Sequence, residues 1–305
     1  MTEPPDFDKP LPASPRLSRG QLRLRLKVSP SDHTKPRIMT TVSSTMAQKP
    51  LGKTGIKISE IGQGTWQYRG DPEPLRIGIS LGATHIDTAE MYGTEGIVGN
   101  AIDDLRDQVF LGTKVSPQNL RYDDVIKAAE GSLSRLGVKT LDLYTVHWPN
   151  PRIPIKETMR AMEELLKRGK IRHIGVSNFS VEELREAQES LSSQEVVANQ
   201  VEYNLETRGI ERDLIPYCKE QKVTIVAYSP LSRGRIGRGR DDALKRLAAK
   251  YEKTEAQIVL NFLTREENVV AIPKASSVEH VKENCGASGW RLSSEDMKLL
   301  AERNR

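Results

Sequence analysis

The stretch RYDDVIKAAEGSLSRLGVKTLDLYTVHW, residues 121–148, changes period part-way along. In its first half Val125, Ala128, Ala129, Leu133 and Leu136 recur at the spacing of one helix face. In LDLYTVHW, residues 141–148, apolar residues crowd together, as in a parallel strand covered on both faces. One helix followed by one buried strand is half of a repeating α/β unit.

The unit recurs along the chain. The runs EIGQGTW, ATHIDTA, VFLGTKV, IRHIGVSN, VVANQVEYN, VTIVAYSP and VVAIPKA join LDLYTVHW to make eight strand-like segments. Helix-like segments separate them. In ETMRAMEELLKRGK, Met159, Met162, Leu165 and Leu166 lie at helical spacing and Gly169 sits where a helix stops. Ser180 followed by Glu183 is a capping box opening the next helix. Eight alternations in ~250 residues are the sequence form of a single-domain (β/α)8 barrel. A doubly wound parallel sheet is the alternative. GQGTWQ half-resembles a dinucleotide fingerprint, with Gly62, Gly64 and, about twenty residues on, Asp87. Gln67 stands at the third glycine position and no helix opens there, which sets a Rossmann site aside.

Of 305 residues, the first 47 read as a separate basic extension of low complexity. MTEPPDFDKPLPASPRLSRG is rich in Pro and Ser, a composition that favours disorder. QLRLRLKV alternates apolar and basic residues and would suit an edge strand. Residues 1–45 carry eight Lys/Arg against four Asp/Glu, so most of the net charge of +5 lies there. The barrel, residues 48–305, is close to neutral, which argues against a nucleic-acid surface. No stretch is long and apolar enough for a membrane span, and residues 1–30 lack a secretory apolar block. Acidic residues near the start argue against a mitochondrial leader. Two distant cysteines, Cys218 and Cys285, fit a reducing compartment, and a cytoplasmic protein is expected. The five histidines are not spaced as metal ligands, so no metal is expected.

In such a barrel, polar groups at the C-terminal strand ends share one bowl. The second strand ends in Asp87, with Tyr92 in the following loop. The third carries Lys114 inside an apolar run, and the fourth ends in His147 and Trp148. A buried lysine needs a partner, and Asp87 is the natural one. An ammonium beside a phenol favours the phenolate and lowers the tyrosine pKa. A tyrosine tuned in this way gives a proton to a carbonyl oxygen as its carbon accepts hydride. A neutral histidine beside the same oxygen orients it.

HIDTAEMYG, FLGTKV, LDLYTVHWP, IRHIGVSNF, ANQVEYN, AYSPL and AIPKASSVEHVKEN, after the opening LGKTGIKISEIGQGTW, together resemble the aldo-keto reductase family. The likeness spans about residues 50–292. It implies a barrel that binds NADPH without a Rossmann domain and reduces small carbonyl compounds to alcohols. The family's catalytic tetrad falls on Asp87, Tyr92, Lys114 and His147, with the tyrosine as general acid. Ser177, Asn178 and Gln200 would hold the nicotinamide carboxamide, and Tyr228 would stack on the ring. The loop 229–240 would cross the pyrophosphate, with Ser229, Leu231, Arg233 and Gly234 at the cofactor and Arg233, Arg235, Arg238 and Arg240 available to meet phosphate oxygens. Lys274, Ala275, Ser276, His280 and Asn284 would hold the adenosine end. Two of these depart from the family pattern. Ala275 replaces a usual serine, and His280 replaces the arginine that grips the 2′-phosphate. Loss of that guanidinium implies weaker discrimination against NADH, with Ser276, Ser277 or a protonated His280 in compensation. Short loops after His147 and after Leu292 imply an open mouth lined by Trp66, Tyr68 and Trp148, and broad use of aldehydes and dicarbonyls. A monomer or weak oligomer is expected. A cofactor-bound regulatory subunit with little turnover is the rival reading. A hydrolase on the same barrel lacks paired carboxylates or a metal set. RGRIGRGR lacks the interleaved aromatics of an RNA-binding segment.

Overall fold

A computed structural model of the chain describes residues 46–236 and 241–302. Nearly all of the basic extension, QLRLRLKV included, and Arg238 and Arg240 lie outside these residues.

Two short strands, β1 (Gln48–Pro50) and β2 (Lys57–Ser59), pair as an antiparallel hairpin. Eight parallel strands follow: β3 (Gln63–Gly64), β4 (His85–Asp87), β5 (Phe110–Val115), β6 (Leu141–Val146), β7 (Ile171–Ser177), β8 (Val196–Glu202), β9 (Thr224–Tyr228) and β10 (Val269–Ala271). Each pairs with the next in chain order. A bridge between Ile61 and Ala271, with Gly62 N–H donating to the Ala271 carbonyl at 2.8 Å, closes the sheet into a barrel. These eight strands fall within the eight apolar runs read from the sequence.

Helices α1 (Glu73–Ser80), α2 (Glu95–Ile102), α3 (Tyr122–Leu136), α4 (Ile155–Lys167), α5 (Val181–Glu189) and α6 (Leu214–Gln221) follow β3 to β8, one after each strand. After β9 come α7 (Asp242–Tyr251) and α8 (Glu255–Leu263), and after β10 come α9 (Val278–Cys285) and α10 (Ser294–Glu302). The apolar face of α3 is buried as its spacing predicts, and Gly137 ends the helix at φ 67°. Gly169 ends α4 in the same left-handed conformation, which costs glycine least. Both bonds of the Ser180–Glu183 capping box are present at the start of α5.

Alternate residues of each strand face opposite ways. Leu143, Val226 and Val270 point inward and pack together with Leu51 and Ile58 of the hairpin region, which plugs the N-terminal end. Ile86, Leu111, Val146 and Ile225 point outward into the larger core shared with the helices. Burial on both faces is why the strands read as apolar runs. The hairpin is tied down by the buried Lys49, whose ammonium donates to the carbonyls of Thr264, Glu266 and Val269. It also faces the buried Glu60, which Ser288 and Arg291 bind in turn. At the barrel seam Gly62 leaves no room for a side chain. A Cβ there would lie 2.7 Å from the His85 carbonyl.

Candidate active site

The C-terminal ends of β4, β5 and β6 bring four polar side chains into one bowl. Lys114 is 0% exposed in the middle of an apolar strand. An ammonium so placed survives only with close partners. It donates to Asp87 Oδ2 at 2.6 Å, to the Thr88 carbonyl at 2.8 Å and to the Tyr92 hydroxyl at 3.5 Å. The Tyr92 hydroxyl lies 3.3 Å from His147 Nε2. The four residues expected to act together are therefore in contact.

Their electrostatics differ from expectation at one point. Burial, reinforced by the Asp87 carboxylate, holds the Tyr92 phenol well above its usual 10. Any lowering by the Lys114 ammonium is outweighed here, since Asp87 already offsets that charge at 2.6 Å. Burial pulls Lys114 below its usual 10.5, against the pull of Asp87. Burial and the nearby Lys114 charge push His147 down to about 3, so its imidazole is neutral near pH 7. Its Nδ1 is buried, without a partner among the described residues. An orphaned N–H is rarer and costlier than an orphaned acceptor. The proton is therefore assigned to Nε2, which faces the phenol.

A second layer holds the bowl in shape. Gln200 Nε2 donates to Asp87 Oδ1 at 2.7 Å, across 113 residues of chain. Thr65, Thr88 and Thr94 form a buried hydroxyl chain beside Asp87, with Thr65 donating to the Asp87 carbonyl at 3.0 Å. Glu90 accepts from the Ser116 N–H at 2.6 Å, which binds the turn carrying Tyr92 to the end of β5. None of these contacts is visible in the sequence, because each depends on which way a side chain faces. The threonines of HIDTAEMYGT were the available signal.

The residues expected at the nicotinamide lie on adjoining strand ends. Ser177 is buried, and Asn178 takes a left-handed φ of 64°. Asn178 donates to the His147 carbonyl and to Ser177 Oγ, both at 3.0 Å, and accepts from the Tyr228 hydroxyl at 2.9 Å. It thus ties β6, β7 and β9 together at the bowl. Along the loop after β9, Ser229, Ser232, Arg233 and Gly234 all have positive φ. The Arg233 guanidinium lies 5.2 Å over the Trp66 ring. Arg235 pairs with Glu206 at 2.6 Å, and Leu231 packs against the outer core. Ser232, not singled out from the sequence, is buried, and its hydroxyl has no partner among the described residues.

Around the start of α9, Lys274 and His280 are exposed, and Ala275 and Ser276 are half-buried. Ala275 and the buried Asn284 line a narrow crevice with Gly62, Gly64, Pro273 and Cys285. Trp66 and Met91 are each 40% exposed, and Trp148 is half-buried. Met91, beside Tyr92, was missed from the sequence. Tyr68, expected at the mouth, is buried in the core instead. The left-handed turn at Gln67 carries it away from the mouth into the core, where its hydroxyl donates to the Asp71 carbonyl at 2.9 Å. None of the bowl residues lines the crevice at Ala275 and Asn284, which has room for no more than about one water.

Residues 60–305 match the model of the aldo/keto reductase family. The chain is 39% identical over 269 residues to methylglyoxal reductase YeaE of Escherichia coli K12, covering 84% of this chain and 94% of that one. It is 35% identical over 257 residues to a glyoxal reductase of Bacillus subtilis, covering 82% and 91%. Among solved structures it is similar to the thermostable aldo-keto reductase Tm1743, solved with the inhibitor epalrestat. That match has a TM-score of 0.79, 44% identity and coverage of 84% and 98%. It is similar as well to an aldo/keto reductase from Klebsiella pneumoniae in complex with NADP and acetate, with a TM-score of 0.77, 39% identity and coverage of 83% and 93%. The chain belongs to the aldo/keto reductase family.

Proposed function

We propose that this chain is an NADPH-dependent reductase of small aldehydes and dicarbonyl compounds in which Tyr92 delivers the proton. The observation that carries the reading is the Tyr92 hydroxyl lying 3.3 Å from His147 Nε2 and 3.5 Å from Lys114 Nζ. The names of the relatives support the substrate class, and the neighbours solved with NADP or NADPH support the cofactor.

The nicotinamide, when bound, supplies hydride to the carbonyl carbon. Ser177, Asn178 and Gln200 would hold its amide, Tyr228 its ring, and Lys274 and Asn284 the far end. Tyr92 hydrogen-bonds the carbonyl oxygen and releases its proton as negative charge builds there. A phenol kept well above 10 stays protonated, and so competent, across the neutral range. Lys114 acts later in the event. The phenolate left after proton transfer sits beside its ammonium, which is fixed in place by Asp87 and the Thr88 carbonyl. His147, neutral with its proton on Nε2, donates to the oxygen and directs it toward the phenol. Trp66, Trp148 and Met91 give the mouth an apolar rim that suits small, uncharged carbonyl compounds.

The test is NADPH oxidation with methylglyoxal and 4-nitrobenzaldehyde. Turnover of both is expected. NADPH binding without turnover of any carbonyl in a broad panel would contradict the reading and favour a cofactor-bound regulator.

A further inference from the structure

Resting on that reading of the site, we propose that Arg69 supplies the guanidinium that binds the 2′-phosphate of NADPH. The adenosine end, as assigned above, lies at the turn from Lys274 to His280. A phosphate dianion there needs cationic donors; Lys274, exposed at this turn, supplies one, and the other groups of the turn are poorly suited. The His280 imidazole lies 3.1 Å from the Glu283 carboxylate, which offsets any charge it gains. The Ser277 hydroxyl, which accepts from the His280 N–H at 3.3 Å as the cap of α9, brings no charge.

Arg69 reaches the same turn from the β3–α1 loop. Its backbone N–H donates to Ser276 Oγ at 3.4 Å. A Cβ at the next residue, Gly70, would lie 3.7 Å from the Ser276 carbonyl, so the two loops lean on each other. The loop is fixed from below by the buried Tyr68, bonded to the Asp71 carbonyl. Asp71 Oδ1 accepts from the N–H of Glu73 at the start of α1, at 2.9 Å. Arg69 is exposed, and among the described residues no carboxylate pairs with its guanidinium. A guanidinium offers a planar fork that matches two phosphate oxygens at once, which an imidazole does not. NADH carries a neutral hydroxyl where NADPH carries this phosphate, so the contact discriminates between the two.

The experiment measures NADPH and NADH affinity of the full chain by quenching of intrinsic fluorescence, without carbonyl substrate. Arg69→Gln is expected to raise the Kd for NADPH about tenfold and to leave the Kd for NADH within about twofold. Retained NADH binding shows that the variant is folded, and Arg69→Lys should recover part of the loss. An unchanged NADPH to NADH ratio in Arg69→Gln overturns the assignment. So does equal weakening of both, which marks a role in loop structure. A wild-type chain that binds neither cofactor overturns the functional reading itself, and this inference with it.

Discussion

At the scale of single residues, the site depends on a buried ion pair whose members do different work. Asp87 and Lys114 are both nearly inaccessible and lie 2.6 Å apart. Removing one partner of such a pair leaves a bare buried charge and costs about 3–5 kcal/mol, whereas replacing both with apolar groups costs far less. Lys114→Met alone is therefore expected to lower unfolding free energy by about 3–5 kcal/mol in urea titrations. The double variant Asp87→Leu/Lys114→Met should recover most of that stability and none of the turnover. Equal stability loss in the single and double variants would contradict this account. The sequence exposed these two residues because charged side chains inside apolar runs have little other reason to be there. It could not show Gln200 gripping Asp87, Asn178 joining three strand ends or Arg69 leaning on Ser276. Those are facts of orientation between segments far apart in the chain. Tyr68 was misplaced for a related reason: one left-handed residue, Gln67, turns it inward.

At the scale of elements, the eight barrel strands were legible because each is covered on both faces and so written in consecutive apolar residues. The hairpin β1–β2 was not. Its strands are three residues each, include Lys49 and Pro50, and are held by an ammonium bonded to three carbonyls rather than by an apolar stripe. The seam of the barrel is similarly quiet in sequence. Gly62 looks like part of a loose glycine motif, yet it is required by the approach of the His85 backbone. Gly62→Ala would set a Cβ 2.7 Å from the His85 carbonyl, a contact that must push β3 away from β4. A loss of about 1–3 kcal/mol is expected in thermal or urea unfolding. Wild-type stability in that variant would mean that the backbone at Gly62 and β4 do not approach as described.

At the scale of the whole molecule, burial sets both the acid sensitivity of the fold and the competence of the site. His85 and His147 are held neutral in the folded chain, pushed down to about 4 and about 3, chiefly by burial. Unfolding returns both to about 6.5. Between those values the unfolded chain binds protons that the folded chain excludes, so stability rises with pH across the window and falls as acid is added. Each histidine contributes up to about 1.4 kcal/mol per pH unit there. The urea midpoint should drop from pH 7 to pH 5, and His85→Leu should flatten the drop; an equal drop in that variant would contradict the assignment. The same burial keeps the Tyr92 phenol protonated at the point where β4, β5 and β6 converge. The most direct test is therefore Tyr92→Phe, assayed for methylglyoxal turnover and, separately, for NADPH affinity. Its kcat should fall by about 10²–10⁴ with the cofactor Kd unchanged. Turnover within a few-fold of wild type would show that the proton comes from elsewhere, and the mechanism proposed for this barrel would fail.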